Sequence, residues 1–182
     1  MRELSLNILD IAENSFKAGA NLVVVSVVQE GNILSIAIDD DGCGMNSELL
    51  SRVTDPFTTT RTTRRVGMGI PLIKMQAELC GGEFSIWSEE GVGTKVKATF
   101  EIDNVDRPPL GDIADTVVSM IGNLGTAELV FYFKAFGSEF TLDTRAVKAE
   151  LEGIEINTPE ILIFLREMIN ENIKTKNRGV SL

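Results

Sequence analysis

Apolar residues recur at helical spacing in the first part of the chain and then give way to strand-like runs. In residues 4–18 the leucine, isoleucine and phenylalanine side chains fall near helical spacing, and Gly19 follows where a helix would end. The next apolar runs, 22–29 and 33–39, are rich in β-branched residues and are separated by a short glycine-containing segment at 30–32. This pattern predicts one helix followed by a β-hairpin.

Residues 46–66 interrupt this regularity because they are polar and rich in threonine and arginine. A short helix is predicted at 47–53, and the rest of the segment is predicted to be a long mobile loop of the kind that closes over ligands. After this loop, one helix and two strands are predicted at 69–80, 83–88 and 95–102. The loop therefore separates two blocks of regular structure.

Two prolines, Pro108 and Pro109, stop the strand pattern and separate it from a new helical pattern. We therefore predict two parts, an N-terminal domain at 1–104 and a small α+β module of unknown role at 105–182. Within the module, helices are predicted at 111–121, 144–152 and 158–174, and strands at 128–135 and 138–142. Its aromatic residues are expected to pack in a core, with a partner-binding face as the alternative: Phe131, Tyr132, Phe133, Phe136 and Phe140.

The composition of the 182 residues is that of an ordinary globular protein, with 43% hydrophobic and 24% charged residues. Acidic residues outnumber basic residues by 27 to 17, which gives a formal charge of −10. Such a balance repels nucleic acid and anionic membranes, so we expect neither as a partner. No apolar stretch has the length of a signal peptide or a membrane span, and the expected location is the cytoplasm.

Cysteine and histidine usage excludes several classes of site. The two cysteines, Cys43 and Cys80, have no metal-ligand spacing and are expected to be reduced thiols. The chain contains no histidine. Histidine-based acid–base catalysis, histidine metal ligands and phosphohistidine are therefore excluded within these residues.

Three glycine-containing segments follow a helix that carries Asn14, and they lie at 40–44, 67–69 and 91–94. Glycine pairs are common in turns, so each segment alone is a weak signal, and their order is more informative. Asp40 ends an apolar strand and presents a carboxylate acceptor there. Gly42 and Gly44 let the backbone approach a neighbouring group without a Cβ in the way.

The segment before the third predicted helix, at 69–80, concentrates positive charge in an acidic protein. Arg61, Arg64 and Arg65 precede Gly67, and Gly67 and Gly69 then open the helix. Backbone amides at a helix N-terminus suit a phosphate, and arginine side chains nearby would strengthen such a site. The loop at 46–66 is therefore expected to be a phosphate-sensing lid.

The ordered segments resemble the N, G1, F, G2 and G3 boxes of the GHKL family, which unites DNA gyrase, Hsp90, histidine kinases and MutL. The resemblance covers about residues 1–103. The segment at 55–61 and the strand, turn and strand at 83–100 are most similar to the catalytic ATP-binding domain of histidine kinases. The resemblance implies an α+β protein with the Bergerat-type ATP-binding fold, a two-layer α/β sandwich, and it implies ATP and Mg²⁺ as cofactors.

The resemblance also implies roles for individual residues of the first helix. Asn14 matches the Mg²⁺ residue of the N box, and Asp10, one helical turn before it, is the candidate general base. Asp10 is one methylene shorter than the glutamate of the hydrolytic members, which predicts slow hydrolysis. Lys17 resembles a lysine that several kinase-like members offer to the phosphates, and a solvated helix lysine is the alternative.

The remaining boxes extend the implied site. Asp40 and Thr94 match the residues that reach adenine, while Asp41 and Cys43 are expected to face away. The implied nucleotide-binding residues are Asn14, Lys17, Asp40, Gly42, Gly44, Arg61, Gly67, Met68, Gly69 and Thr94. The G2 box is partly degenerate, because Arg65 occupies a usual glycine position.

Two functions remain open from the sequence. The first is a signalling kinase or slow ATPase that acts in trans on an unidentified partner protein and is not phosphorylated on histidine; the small anti-sigma-factor kinases of the family act in this way. The alternative is an ATP-responsive protein-binding module without productive phosphoryl transfer.

Overall fold

The helices and the first six strands of the described residues lie within two residues of their predicted ends, whereas two short strands at 176–177 and 180–181 were not predicted. The computed structural model describes residues 3–55, 69–177 and 180–182. The helices are α1 (Leu4–Lys17), α2 (Ser47–Arg52), α3 (Gly69–Leu79), α4 (Ile113–Gly122), α5 (Thr144–Glu150) and α6 (Pro159–Asn172). The strands are β1 (Leu22–Glu30), β2 (Ile33–Asp40), β3 (Phe84–Glu89), β4 (Gly93–Glu101), β5 (Glu128–Ala135), β6 (Ser138–Asp143), β7 (Lys176–Asn177) and β8 (Val180–Ser181).

The first six strands form one sheet in the order β3-β4-β2-β1-β5-β6. The predicted hairpin of β1 and β2 is confirmed, and its antiparallel register pairs Val25 with Ile38. Only the pairing of β1 with β5 is parallel within this sheet, from Leu22 opposite Glu128 to Val28 opposite Lys134. Sheet order therefore places β1 at the junction between the N-terminal strands and the C-terminal strands.

Helix α1 lies at the centre of the helical layer, where it contacts α3, α4, β1 and β2. Side chains alternate between buried and partly exposed along the strands, as a sheet with one covered face requires. Asn7 on α1 donates a hydrogen bond to Gln76 on α3 at 2.5 Å, which fixes these two helices against each other. The predicted two-layer α/β architecture is confirmed. In the described part of the chain, no helix is long and apolar enough to cross a membrane.

The segment after residue 104 is joined to the N-terminal segment by backbone hydrogen bonds and by a shared core. At the start of α1, the amides of Leu4 and Ser5 donate to the carbonyls of Pro109 and Leu110, at 2.9 and 2.8 Å. These bonds satisfy two of the amides that a helix N-terminus leaves unpaired. The domain boundary after residue 104 stays a prediction, but both segments contribute to one sheet and to one hydrophobic cluster.

The guanidinium of Arg107 ties the connecting segment to its surroundings. Its nitrogens donate to the carbonyl oxygens of Ile102, Pro108 and Ser181, at 3.0, 3.1 and 2.5 Å. These three oxygens belong to the region after β4, to the connecting segment itself and to β8. One side chain thus holds the start of the C-terminal segment and the end of the chain together.

Two aromatic residues of β5 confirm the core prediction, and Tyr132 departs from it. Phe131 and Phe133 are fully buried, with 0% exposure, and their ring centroids lie 6.4 Å apart. Phe136 and Phe140 are partly buried and pack against the same core. Tyr132 points to the opposite face of the sheet and donates its hydroxyl proton to a carboxylate oxygen of Glu139 at 2.9 Å.

Shortening a core side chain of the C-terminal segment should therefore destabilise the N-terminal strands as well. We predict that Phe131→Ala lowers the free energy of unfolding by about 3–5 kcal/mol, because it leaves a cavity in the shared core. The fluorescence of Trp87, the only tryptophan, reports on β3 at the far end of the sheet. In a denaturant titration of Phe131→Ala, the midpoint of the Trp87 fluorescence transition should shift to lower denaturant. The midpoint of the far-UV circular dichroism transition should shift with it.

The matched control is Lys134→Ala, on the exposed side of the same strand. Its effect should stay within about 0.5 kcal/mol. A Trp87 transition that does not move in Phe131→Ala, while part of the circular dichroism is lost earlier, would contradict a shared core and support two independent domains.

Candidate nucleotide-binding site

The Asp40 carboxylate is fixed at the end of β2 by two hydrogen bonds. One oxygen accepts from the hydroxyl of Ser15 on α1 at 2.5 Å, and the other accepts from the amide of Gly42 at 3.0 Å. Asp40 is only partly exposed, so burial favours a fixed orientation over free rotation in water. In the register of β2 with β4, Asp40 lies directly opposite Thr94. The fold thus brings together the two residues that were predicted to reach adenine.

Glycines allow the loop after β2 to pack against the turn before β4. Gly44 has a φ of +64°, and a Cβ there would lie 2.0 Å from the carbonyl oxygen of Glu89. Gly93 has a φ of +137°, and its Cβ would lie 2.0 Å from the carbonyl oxygen of Asp40. At Gly42 a Cβ would come within 3.1 Å of Ala18. These positions admit neighbouring backbone, and the two loops form one unit beside Asp40.

The hydroxyl of Ser88 on β3 links the two loops by hydrogen bonds. It is buried, accepts a hydrogen bond from the amide of Met45 at 2.8 Å and donates to the carbonyl of Gly93 at 3.0 Å. Its oxygen also lies 2.9 Å from the hydroxyl oxygen of Thr94. Because Ser88 has a single proton, directed at Gly93, Thr94 is the donor in this contact. The Thr94 oxygen keeps its lone pairs and, like the Asp40 carboxylate, can act as an acceptor.

Ser15 and Ser88 were not among the predicted site residues, although the sequence contains a signal for both. Each serine stands at a position that the apolar periodicity of its element buries, and both are buried in the structure. A buried hydroxyl needs a hydrogen-bond partner, so a serine on a buried face next to a ligand loop is a candidate for holding that loop.

On α1, the predicted base Asp10 lies beside the start of α3. Asp10 is exposed, and a Cβ on Gly69 would come within 3.0 Å of the Asp10 Cβ. Glycine at position 69 therefore lets the first turn of α3 approach α1 closely. Asn14, one turn further along α1, is partly exposed and stands next to Ser15 in the chain. Asp10 and Asn14 are four residues apart and therefore lie on the same face of α1. Asp10 lies next to the start of α3, and Asn14 precedes Ser15, which binds Asp40.

Lys17 takes the alternative role of a surface lysine in this structure. Its amine lies 2.9 Å from a carboxylate oxygen of Glu13, and the Lys17 side chain is 57% exposed. A contact of Lys17 with phosphate stays a prediction. Arg61, Gly67 and Met68, with most of the predicted lid, lie outside the described residues, and their roles stay predictions as well.

A Mg²⁺ ion that is bound together with a nucleotide stays a prediction. Within ranges 3–55, 69–177 and 180–182, no group of three or more acidic or cysteine side chains could hold a metal alone. Mg²⁺ commonly keeps several waters and uses substrate phosphates and one or two protein oxygens. The amide oxygen of Asn14 is suited to be such a ligand, and the roles of these site residues stay predictions.

Comparisons with known proteins identify a matching family and several relatives. Residues 1–104 match the family of histidine kinase-, DNA gyrase B- and HSP90-like ATPases. An uncharacterized sensor-like histidine kinase of Rhizobium meliloti (strain 1021) is 37% identical over 93 residues, or 48% of this chain and 18% of that kinase. The autoinducer 2 sensor kinase/phosphatase LuxQ of Vibrio cholerae is 25% identical over 175 residues, or 85% of this chain and 20% of that kinase.

A solved structure, the N-terminal domain of a DNA repair protein, has a similar fold. Its TM-score is 0.54 at 14% sequence identity, and the match covers 79% of this chain and 53% of that one. The chain spans a fifth or less of the length of the two kinases. The family match covers more than half of the 182 residues and includes all the described site residues on α1, β2, α3 and β4. The chain therefore belongs to the family of histidine kinase-, DNA gyrase B- and HSP90-like ATPases.

Proposed function

We propose that the protein binds Mg-ATP and acts as a signalling kinase or slow ATPase on a partner protein. The observation that carries the proposal is the Asp40 carboxylate, which is held by Ser15 and Gly42 opposite Thr94. Adenine offers an exocyclic amine as a donor, and Asp40 presents an oriented, charged acceptor at the end of a strand. Guanine has a carbonyl at the same ring position, so this arrangement favours ATP over GTP.

The proposed phosphate side is the region between α1 and the N-terminus of α3. Asp10 and Gly69 are close there, and Asn14 is one helical turn away from Asp10. Backbone amides at the start of α3 are suited to anionic oxygens. When bound with the nucleotide, Mg²⁺ would offset phosphate charge. In this proposal Asn14 would hold Mg²⁺ through its amide oxygen, and Asp10 would accept a proton from water.

The proposal places the phosphoacceptor on another protein. The 182 residues contain no histidine, so a phosphohistidine cannot form on them. Transfer would go to serine, threonine or histidine of a partner in the cytoplasm. Asp10 is exposed and shorter than glutamate, which supports slow hydrolysis in the absence of a partner.

The second candidate function is an ATP-responsive binding module without phosphoryl transfer. The short side chain of Asp10 favours it, because a poorly placed base lowers turnover without affecting nucleotide affinity. The two functions differ in one result. Capture of partners from a cell extract with radiolabelled ATP should leave label on a captured protein if the chain is a kinase, and none if it only responds to ATP.

Asp40→Asn should weaken ATP binding roughly tenfold or more, because it removes the charge from a hydrogen bond of about 1.5–3 kcal/mol. Isothermal titration calorimetry with Mg-ATP measures the change. Asp39→Asn is the matched control, since Asp39 faces the other side of the sheet, where it lies 3.5 Å from the Lys95 amine. Equal ATP affinity for wild type and Asp40→Asn would remove Asp40 from adenine recognition.

Binding and turnover should separate along α1. We expect Asn14→Ala to abolish Mg²⁺-dependent hydrolysis or transfer, as EDTA should in the wild type. Asp10→Ala should slow hydrolysis by about tenfold or more and leave ATP affinity nearly unchanged, because a general base acts on the attacking water. Phosphate release and calorimetry on the same samples measure both. Rapid ATP turnover by the purified wild type, or stable phosphate on its own chain at high stoichiometry, would contradict the proposal.

A further inference from the structure

Asp41, directly after the adenine candidate Asp40, makes a contact that was not predicted. One oxygen of its carboxylate accepts hydrogen bonds from two consecutive backbone amides, Asn21 at 2.7 Å and Leu22 at 2.8 Å. The first amide lies at the end of the turn between α1 and β1, and the second belongs to the first residue of β1. The Asp41 side chain is thus directed at a specific backbone target, and its orientation relative to a bound adenine stays a prediction.

The loop after β2, at 41–44, is called the adenine loop, and it packs against the turn that Asp41 binds. The amide of Cys43 donates to the carbonyl of Ala18 at 2.9 Å, and Gly42 approaches Ala18 closely. Ser15, which binds Asp40, also accepts through its carbonyl the amide proton of Ala20 at 3.2 Å. The end of α1 and its turn therefore touch successive residues of the loop after β2, and the Asp41 carboxylate makes the shortest of these loop-to-turn contacts.

The same turn is fixed on its other side by the C-terminal segment. The amide of Glu128, the first residue of β5, donates to the carbonyl of Asn21 at 2.8 Å. The Glu128 carboxylate in turn accepts from the Thr144 hydroxyl at 2.5 Å and from the Lys148 amine at 2.8 Å. Burial alone would raise the pKa of Glu128, but these two hydrogen bonds lower it overall, so the carboxylate stays charged near neutral pH. The turn that Asp41 binds is therefore also held by the first residue of β5.

We propose that Asp41 is a positioning residue for adenine recognition, which holds the Asp40 loop on the α1–β1 turn. The inference rests on the proposed ATP binding. Asp41 acts through Asp40: consecutive Cα atoms are about 3.8 Å apart across a trans peptide, so a displaced Asp41 displaces the carboxylate next to it. A shift of that acceptor weakens a hydrogen bond to the base and leaves the phosphate side of the site intact.

The test compares three variants of the full chain by calorimetry with Mg-ATP and Mg-GTP. Asp41→Ala removes the contact with both amides, and ATP affinity should fall roughly tenfold while GTP affinity changes little. Asp41→Asn keeps an acceptor oxygen at the same place, and it should stay within about threefold of wild type. Asp39→Ala removes a neighbouring carboxylate on the other face of the sheet and should behave as wild type.

A purely structural role for Asp41 would lower the thermal midpoint and leave the ATP-to-GTP preference unchanged, and that result overturns the inference. Equal ATP affinity for Asp41→Ala and wild type overturns it as well. If Asp41→Ala does not fold, Asp41→Ser replaces it, because its shorter side chain cannot reach both amides. If wild type itself binds no ATP, the proposed function fails; if only the Asp41 variants miss their expected values, the inference fails alone.

Discussion

The carboxylate of Asp40 is held between α1 and the loop after β2, and the arrangement of the candidate site depends on this contact. A partly buried charge is stable only where donors replace the lost water, and Ser15 and the Gly42 amide provide them. The Ser15 hydroxyl is within reach because α1 packs across β1 and β2, and the Gly42 amide lies two residues after Asp40 in the chain. The same helix carries Asn14, next to Ser15, and Asp10, beside the start of α3.

The C-terminal segment contributes to this arrangement although it carries no chemical motif of its own. β5 pairs with β1 in parallel, α4 packs against α1, and the amide of Glu128 holds the turn at Asn21. A change in the C-terminal segment can therefore reach the adenine loop through few intermediate contacts. This gives a physical reason for the segment to accompany the ATP-binding fold.

Most elements of the fold were predictable from local sequence, because helical and strand periodicity and the turn glycines are local signals. The alternating runs at β1 and β2 and the helical spacing in α1 gave bounds close to those observed. The parallel pairing of β1 with β5 joins residues far apart in the chain, and no local pattern specifies it. The prediction of a separate C-terminal module therefore did not include a continuous sheet.

The candidate site could be proposed from the order of its segments, because Asp40 and the glycines near it follow the helix that carries Asn14. The serines that hold it were not predicted, because a buried serine is informative only once its neighbours are known. Asp41 was predicted to face away, but its target on the α1–β1 turn depends on tertiary packing. For Lys17 the sequence left open a phosphate contact and a position on the surface. In the structure its amine pairs with Glu13 at i−4.

The central claim is that a nucleotide binds between α1, the loop after β2 and the turn before β4. A titration of the ¹⁵N-labelled protein with Mg-ATP, followed by two-dimensional NMR, tests it most directly. The account predicts the largest amide shifts at Asn14, at residues 40–44 and at Gly93 and Thr94, with small shifts on β6 and α6. Saturating Mg-ATP that leaves the amides of 40–44 unchanged, or shifts confined to residues after 104, would contradict it.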